Sequence, residues 1–316
     1  MRIGFALAAL AAGLVLAACG YDATEVPTPA AADASLTPAQ ELSCDNTADS
    51  VRSYAPDGTT DGPALQRIKE RGRLIVGVSA DTYLLGYSNP FTAELEGFDI
   101  DIARHVAAAI FGVKDGKADS YLQLRVITAA ERVSLLESGE IDMVARNMTI
   151  NCERWQQVGF SAVYYEAGQK VLLREDLAAD YHEPGDLDGH TVCAPTGTTS
   201  LDNIRELASA AEVVPATNHT GCLVLFQNGK VDAITGDDAV LAGLAAQDPY
   251  AVVPEQEAFT SEPYGLATNA SDVDLLRFVN GVLEQMAADG SWQSIYDTWL
   301  APTLGEGTQP TPQYGR

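Results

Sequence analysis

Glu140-Ile141-Asp142-Met143-Val144-Ala145, continuing as Arg146-Asn147-Met148-Thr149-Ile150-Asn151-Cys152-Glu153-Arg154, is the stretch on which the reading of this chain turns. Apolar and polar residues alternate as far as Arg146, the period of a half-buried strand. Polar residues then gather at the strand's carboxyl end, where α/β folds place their ligands. Thr149 offers a hydroxyl and a backbone N–H. Arg154 offers a planar fork that fits a carboxylate in two parallel hydrogen bonds. A solvated arginine in a surface turn accounts for the same residues, because most charged side chains face water. The surroundings have to decide.

Strands and helices alternate on both sides. Residues 64–71 read as a helix, 74–79 as a buried strand, 99–111 as an amphipathic helix and 121–127 as a strand. The acidic start of the 99–111 helix suits its dipole. A helix over 130–138 and the strand 141–146 follow. Further on, 191–194 and 231–235 read as strands, and 200–211, 221–228, 238–246, 272–289 and 291–300 as helices. Thr199 or Ser200 is placed to cap the helix that begins at 200. This alternation predicts α/β architecture with parallel sheets.

The chain has 316 residues, with 19 basic against 44 acidic ones and a net charge of −25. Nucleic-acid binding needs a basic face and is excluded. So is charge-driven attachment to an anionic membrane. Arginines gathered inside so acidic a chain stand out. Met1-Arg2 opens a short apolar run to Leu16, and Leu16-Ala17-Ala18-Cys19-Gly20 follows. This reads as a signal peptide over 1–18. Its end resembles a bacterial lipobox, which implies lipidation of Cys19. A plain signal peptide or a short membrane helix is the alternative, although the run is short for a span. Residues 20–43 are rich in Ala, Thr and Pro and read as a flexible tether. Cys44, Cys152, Cys193 and Cys222 make an even set in an exported chain, which implies disulfides. Cys193 and Cys222 fall in one expected lobe and are paired. That leaves Cys44 with Cys152. Free thiols are the alternative. No Cys-x-x-Cys gives zinc spacing.

The segment Thr149-Ile150 with Arg154 and Phe160-Ser161 resembles the motif of family 3 extracellular solute-binding proteins, the amino-acid receptors of ABC importers. The likeness recurs in order over about residues 62–301. Gly97-Phe98-Asp99-Ile100-Asp101 resembles the family's helix start, and Glu131-Arg132 with Leu135, Leu136, Gly139 and Asp142 its next helix and strand. Gly197-Thr198-Thr199-Ser200 is similar to the loop of the second lobe, and Val231-Asp232-Ala233-Ile234 with Asp237 to its last strand. Within the family the chain most resembles actinobacterial lipoproteins that bind glutamate, aspartate or their amides.

The resemblance implies a two-lobed type II periplasmic-binding-protein fold with two crossovers. It divides the chain into a signal peptide (1–18), a lipidated tether and arm (19–62), a first lobe (63–162 and 263–302), a second lobe (163–262) and a flexible tail (303–316). Crossovers are expected near 160–165 and 260–263. It assigns Arg154 to the ligand's α-carboxylate and Asp237 to its ammonium. Capping of the following helix is the other reading of Asp237. Asn147, Thr149, Thr198 and Thr199 are expected to add hydroxyl, amide or helix-start contacts. Arg132 is expected to bind a distal carboxylate, with Arg146 as second candidate. Pairing of Arg132 with Glu131 or Glu137 on a helix surface is the alternative. His219 is a further donor candidate, and Tyr83 and Tyr87 are candidate pocket walls.

No Gly-x-Ser-x-Gly, phosphate-cradling glycine loop or His-Glu-x-x-His is present, so the expectation is a binding protein, not an enzyme. A dehydratase on the same fold is the enzymatic alternative, and a sensor lipoprotein reporting to a membrane receptor the non-transport one. No cofactor or metal is implied. The expected partners are a free acidic or amide amino acid, a membrane permease or receptor, and the membrane through a lipid anchor. The expected location is the outer face of the cell membrane.

Overall fold

A strand with both faces covered needs apolar residues throughout. Leu74-Ile75-Val76-Gly77-Val78 meets that requirement and lies at the heart of the first lobe. A computed structural model describes residues 46–316. The signal peptide, Cys19, the tether and Cys44 lie outside the described residues.

The first lobe opens with α1 (Pro63–Arg71) and β1 (Leu74–Val78). Next come β2 (Asp81–Thr82), β3 (Gly86–Ser88) and β4 (Leu95–Glu96), which pair as a small antiparallel sheet. Then follow α2 (Phe98–Phe111), β5 (Leu122–Val126), α3 (Arg132–Glu137), β6 (Met143–Val144), α4 (Cys152–Trp155) and β7 (Val158–Phe160). The second lobe comprises β8 (Tyr165–Arg174), α5 (Glu175–Ala178), β9 (Thr191–Pro195), α6 (Thr199–Leu207), β10 (Glu212–Ala216), α7 (His219–Gln227), β11 (Ala233–Asp237), α8 (Asp238–Ala245), β12 (Ala251–Val252) and β13 (Thr260–Tyr264). The chain returns to the first lobe with β14 (Ala267–Asn269), α9 (Val273–Asp289), α10 (Ser291–Trp299) and α11 (Ala301–Leu304).

The first sheet has the order β5-β1-β6-β14-β7, and the second β10-β9-β11-β8-β12 with β13 on β8. β1 runs parallel to β5 and β6, and β9 parallel to β10 and β11. The sheets are mixed, not wholly parallel as the alternation predicts. β14 runs antiparallel to β6 and β7, and β8 antiparallel to β11, β12 and β13. These are strands on either side of the two crossovers, and antiparallel neighbours need no helical connection.

The crossovers fall at 160–165 and 264–267. They run side by side: Tyr164 N donates to Tyr264 O at 3.0 Å and Ser161 N to Leu266 O at 2.9 Å. The second lies just beyond the expected 260–263, because Thr260–Tyr264 still pairs with β8. An aromatic cluster fixes them on the first lobe. Phe98 meets Trp292 edge-on at 5.9 Å, and Trp292 Nε1 donates to Tyr164 O at 2.9 Å.

Gly97 is dictated by geometry. It has φ +137°, and a Cβ there would lie 2.4 Å from the Leu85 carbonyl oxygen. The expected loose tail is tied down instead. Gln309 Nε2 donates to Leu283 O, Tyr314 OH to Glu284, and Gly315 N to Ser53 O. Its two prolines, Pro310 and Pro312, already have restricted backbones, so ordering them costs less entropy. Cys193 and Cys222 are joined as expected, linking β9 to α7. Cys152 also carries a disulfide. Its expected partner, Cys44, lies outside the described residues. Among the described residues no helix is long and apolar enough to cross a membrane.

Candidate functional site

Beyond β6 the backbone makes an unusual turn. Asn147 has φ +35°, uncommon for a residue with a side chain. Its N–H donates to Asp99 Oδ2 at 2.9 Å, and Tyr164 OH donates to Asp99 Oδ1 at 2.7 Å. Burial pushes the Asp99 carboxyl up to about 6, against the pull of Tyr164, the Asn147 N–H and Arg146. An acid that reads in sequence as a dipole partner is therefore the buried post that holds the ligand loop.

The three expected arginines converge. Arg132 and Arg146 are buried and Arg154 is partly so. Arg132 donates from Nε to Ala129 O, from one terminal nitrogen to Arg146 O and Asn147 O, and from the other to Gly197 O at 2.9 Å. The last bond crosses to the second lobe. Carbonyls thus take four of the five N–H groups of Arg132, which leaves one for the distal carboxylate expected of it. Pairing with Glu131 or Glu137 is not what it does. Among the described residues Arg146 is hydrogen-bonded only through Nε, to Ile127 O, which leaves its terminal nitrogens for other use. Arg154 donates to Thr149 O at 2.7 Å and to Gly197 O at 3.5 Å. Burial lowers all three guanidinium pKa values.

The expected hydroxyl contacts have a different destination. Thr149 Oγ1 and Thr199 Oγ1 both donate to Glu262 Oε2, at 2.7 and 2.6 Å. Asn203 and Thr260 donate to its other oxygen. Glu262 is a buried carboxylate clasped from both lobes, so the Thr149 and Thr199 hydroxyl protons are not free for a ligand. Thr198, not Thr199 or Ser200, caps α6: its Oγ1 accepts from Leu201 N at 3.2 Å and donates to Pro195 O at 2.7 Å. The first N–H groups of α6 remain the part of this turn suited to an anion.

Asp237 closes the site from β11. Its side chain makes no capping bond to α8. Tyr264 OH donates to Oδ2 at 2.5 Å, and Oδ1 is buried without a partner. Burial and then the charge of Glu262 push this carboxyl up to about 8. Asp81 Oδ2, Asn147 Oδ1 and His219 Nε2 are likewise buried and unpartnered. His219 is held down to about 3 by burial and by Arg146 and Arg132, so it is neutral. Each such atom costs about 1–3 kcal/mol when left unpaired. A cleft that collects them is built for a guest that pairs with them.

Asp81 and Glu262 escape sequence reasoning, because single acids in an acidic chain carry no pattern, and Asp99 is legible only as part of the motif at the start of α2. Tyr87 donates to Glu96 and packs on Trp299, so it belongs to the small sheet and is no pocket wall. Beside Glu262 a recess of about 330 Å³ lies between residues 46–51, 149–151 and 260–263, with Thr199 and Asn203. Among the described residues no group of three or more His, Cys, Asp or Glu side chains is arranged to hold a metal.

Two α/β lobes, two crossovers and a closed, charged cleft between them define a solute-binding protein. Residues 74–302 match the family described as bacterial extracellular solute-binding proteins, family 3, and the chain belongs to it. The ABC transporter glutamine-binding protein GlnH of Bacillus subtilis is 37% identical over 236 residues, 75% of this chain and 84% of that one. The glutamate-binding protein GluB of Corynebacterium efficiens is 30% identical over 253 residues, 78% and 84% of the two chains. Among solved structures, a variant of ArgBP from T. maritima superposes with TM-score 0.69 at 30% identity, covering 75% of this chain and 99% of that one.

Proposed function

We propose that the cleft binds one free α-amino acid with an amide or acidic side chain, and that the closed protein delivers it to the membrane permease of an ABC importer. The observation that carries this is the buried, unpartnered Asp237 Oδ1, in a cleft that also holds Arg154 and the start of α6. Asp237 takes the ligand's ammonium. Arg154 and the first N–H groups of α6 take its carboxylate. The side chain extends toward Arg146, Asn147 and Asp81. That end offers donors on Arg146 beside unpaired acceptors on Asp81 and Asn147. An amide carries one group for each, which favours glutamine or asparagine over the acids. The relatives named for glutamine and for glutamate support the class of ligand. The sequence at Cys19 supports a lipid anchor on the outer face of the membrane.

The test is calorimetry with glutamine, asparagine, glutamate and aspartate on the purified protein. Arg154→Ala and Asp237→Asn should each weaken every ligand by about 2–5 kcal/mol, the scale for removing one side of a buried charged pair. A folded variant of near-native affinity would remove that residue from the site. Recovery of the amino acid unchanged separates binding from dehydratase chemistry. Uptake measured with the candidate permease deleted separates import from sensing.

A further inference from the structure

We infer that two segments outside the family domain, residues 46–54 and 313–316, form a strap that positions Arg154. This rests on Arg154 holding the ligand's carboxylate. The family match covers 74–302, so both segments lie outside it.

Arg154 sits on α4, four residues long. A helix of one turn fixes several dihedrals for very few hydrogen bonds and does not hold itself. Internally it has the Asn151 cap, whose Oδ1 accepts from Arg154 N at 2.8 Å, and a few backbone bonds of one turn, such as Trp155 N to Asn151 O at 3.1 Å and Gln156 N to Glu153 O at 3.1 Å. The rest comes from outside. Asn46 Oδ1 accepts from Cys152 N at 2.8 Å, at the start of the helix. Trp155, at its end, donates from Nε1 to Ser50 O at 2.7 Å. The indole packs edge-on against Tyr54 and Phe160, and the Arg316 guanidinium stands 3.8 Å from its ring centroid. Arg316 is itself seated by the arm: its Nε donates to Arg52 O at 2.8 Å. Ser53 N donates to Gln313 O at 2.9 Å and Gly315 N to Ser53 O at 3.1 Å, which binds arm and tail together. The residue next to the carboxylate-binding arginine is thus clamped between two segments that lie outside the family match. Rotation of α4 by a small angle moves the Arg154 fork off the ligand, and the clamp prevents that rotation. Arg316 and Trp155 are positioning residues in this scheme, since neither touches the ligand.

The experiment uses the full exported protein with glutamine as probe, at a temperature well below unfolding. Arg316→Ala should raise the Kd by roughly three- to thirtyfold, the range for residues that act on a site through another. Arg316→Lys should recover part of the loss, because an ammonium also binds an indole face. In an Arg154→Lys background, Arg316→Ala should add less than about a twofold change, because non-additivity marks residues that act as one. The Arg154 side-chain N–H resonance should be single in the native protein and broadened in Arg316→Ala. An unchanged Kd in Arg316→Ala overturns the inference, as does an equal loss in both backgrounds or an unaltered Arg154 resonance. If Arg154→Lys alone leaves glutamine binding intact, the ligand assignment of Arg154 fails, a result distinguishable from failure of the strap.

Discussion

A guanidinium has five N–H donors, and backbone carbonyls take four of those on Arg132. Arg132→Met would strand the carbonyls of Ala129, Arg146 and Asn147 at once and leave Gly197 O with only the longer bond from Arg154. The expected outcome is weaker binding of every ligand, with the glutamine-to-glutamate ratio held within about twofold, since the contacts removed are mainly those to carbonyls. Arg146→Met should behave differently. Its terminal nitrogens are the unengaged cationic donors at the side-chain end, and a guanidinium bonds a carboxylate more strongly than a neutral acceptor. Glutamate should lose about 1.5–3 kcal/mol and glutamine less. Calorimetry on both variants with both ligands reads the two ratios, and a ratio that moves with Arg132 and not with Arg146 would reverse these roles. At this scale the sequence identifies the arginines, because cations in a chain of charge −25 are conspicuous. It does not say which groups each arginine meets. Glu262 shows why: its four donors come from 149, 199, 203 and 260, and only the fold brings them together.

Elements built from long periodic runs were legible, and short ones were not. The helices expected at 99–111, 272–289 and 291–300 appear within a residue or two, since each buries a full apolar stripe. The two- and three-residue strands β2, β3 and β4 inside residues 80–96 have no period to read, and tertiary contact alone defines them. β10 has an exposed acid and a proline and goes unnoticed, although it closes the edge of the second sheet. The disulfide between β9 and α7 supports that sheet from its helical side. It closes a loop with a sequence separation of 29. Replacing Cys193 and Cys222 together by Ala should cost about 3–4 kcal/mol by loop entropy. Urea unfolding would show it, and the binding constant should change little, because neither cysteine lies in the cleft. Gly97→Ala should be comparably damaging at the start of α2, where the added Cβ meets backbone and no flexible side chain can yield.

Within the described residues the two lobes are closed on each other, and the charges in the cleft make binding depend on pH. Contacts that cross the cleft include Arg132 to Gly197 O and Thr220 Oγ1 to Asp81 O. Inside, Asp237 is held up to about 8, so at neutral pH the empty cleft keeps it largely protonated. A ligand ammonium beside it favours the ionised form, and binding therefore expels a proton. The empty protein thus holds a proton that the complex has lost, so affinity must rise with pH until about 8 and then level. Between about pH 6 and 8 the Kd should fall by up to about tenfold per unit. Asp99 has its midpoint lower, near 6, and its two oxygens are held by Asn147 N and Tyr164 OH, while His219 stays neutral throughout, so neither supplies the slope above pH 7. The same linkage makes the empty protein lose stability as pH climbs from the ordinary carboxyl range toward about 8, because the unfolded chain ionises Asp237 first. Calorimetry of glutamine binding at pH 7, in two buffers of different ionisation enthalpy, should count close to one proton released. Asp237→Asn should abolish both the release and the slope. A flat profile in the native protein, or a slope that survives in Asp237→Asn, would show that another group meets the ammonium.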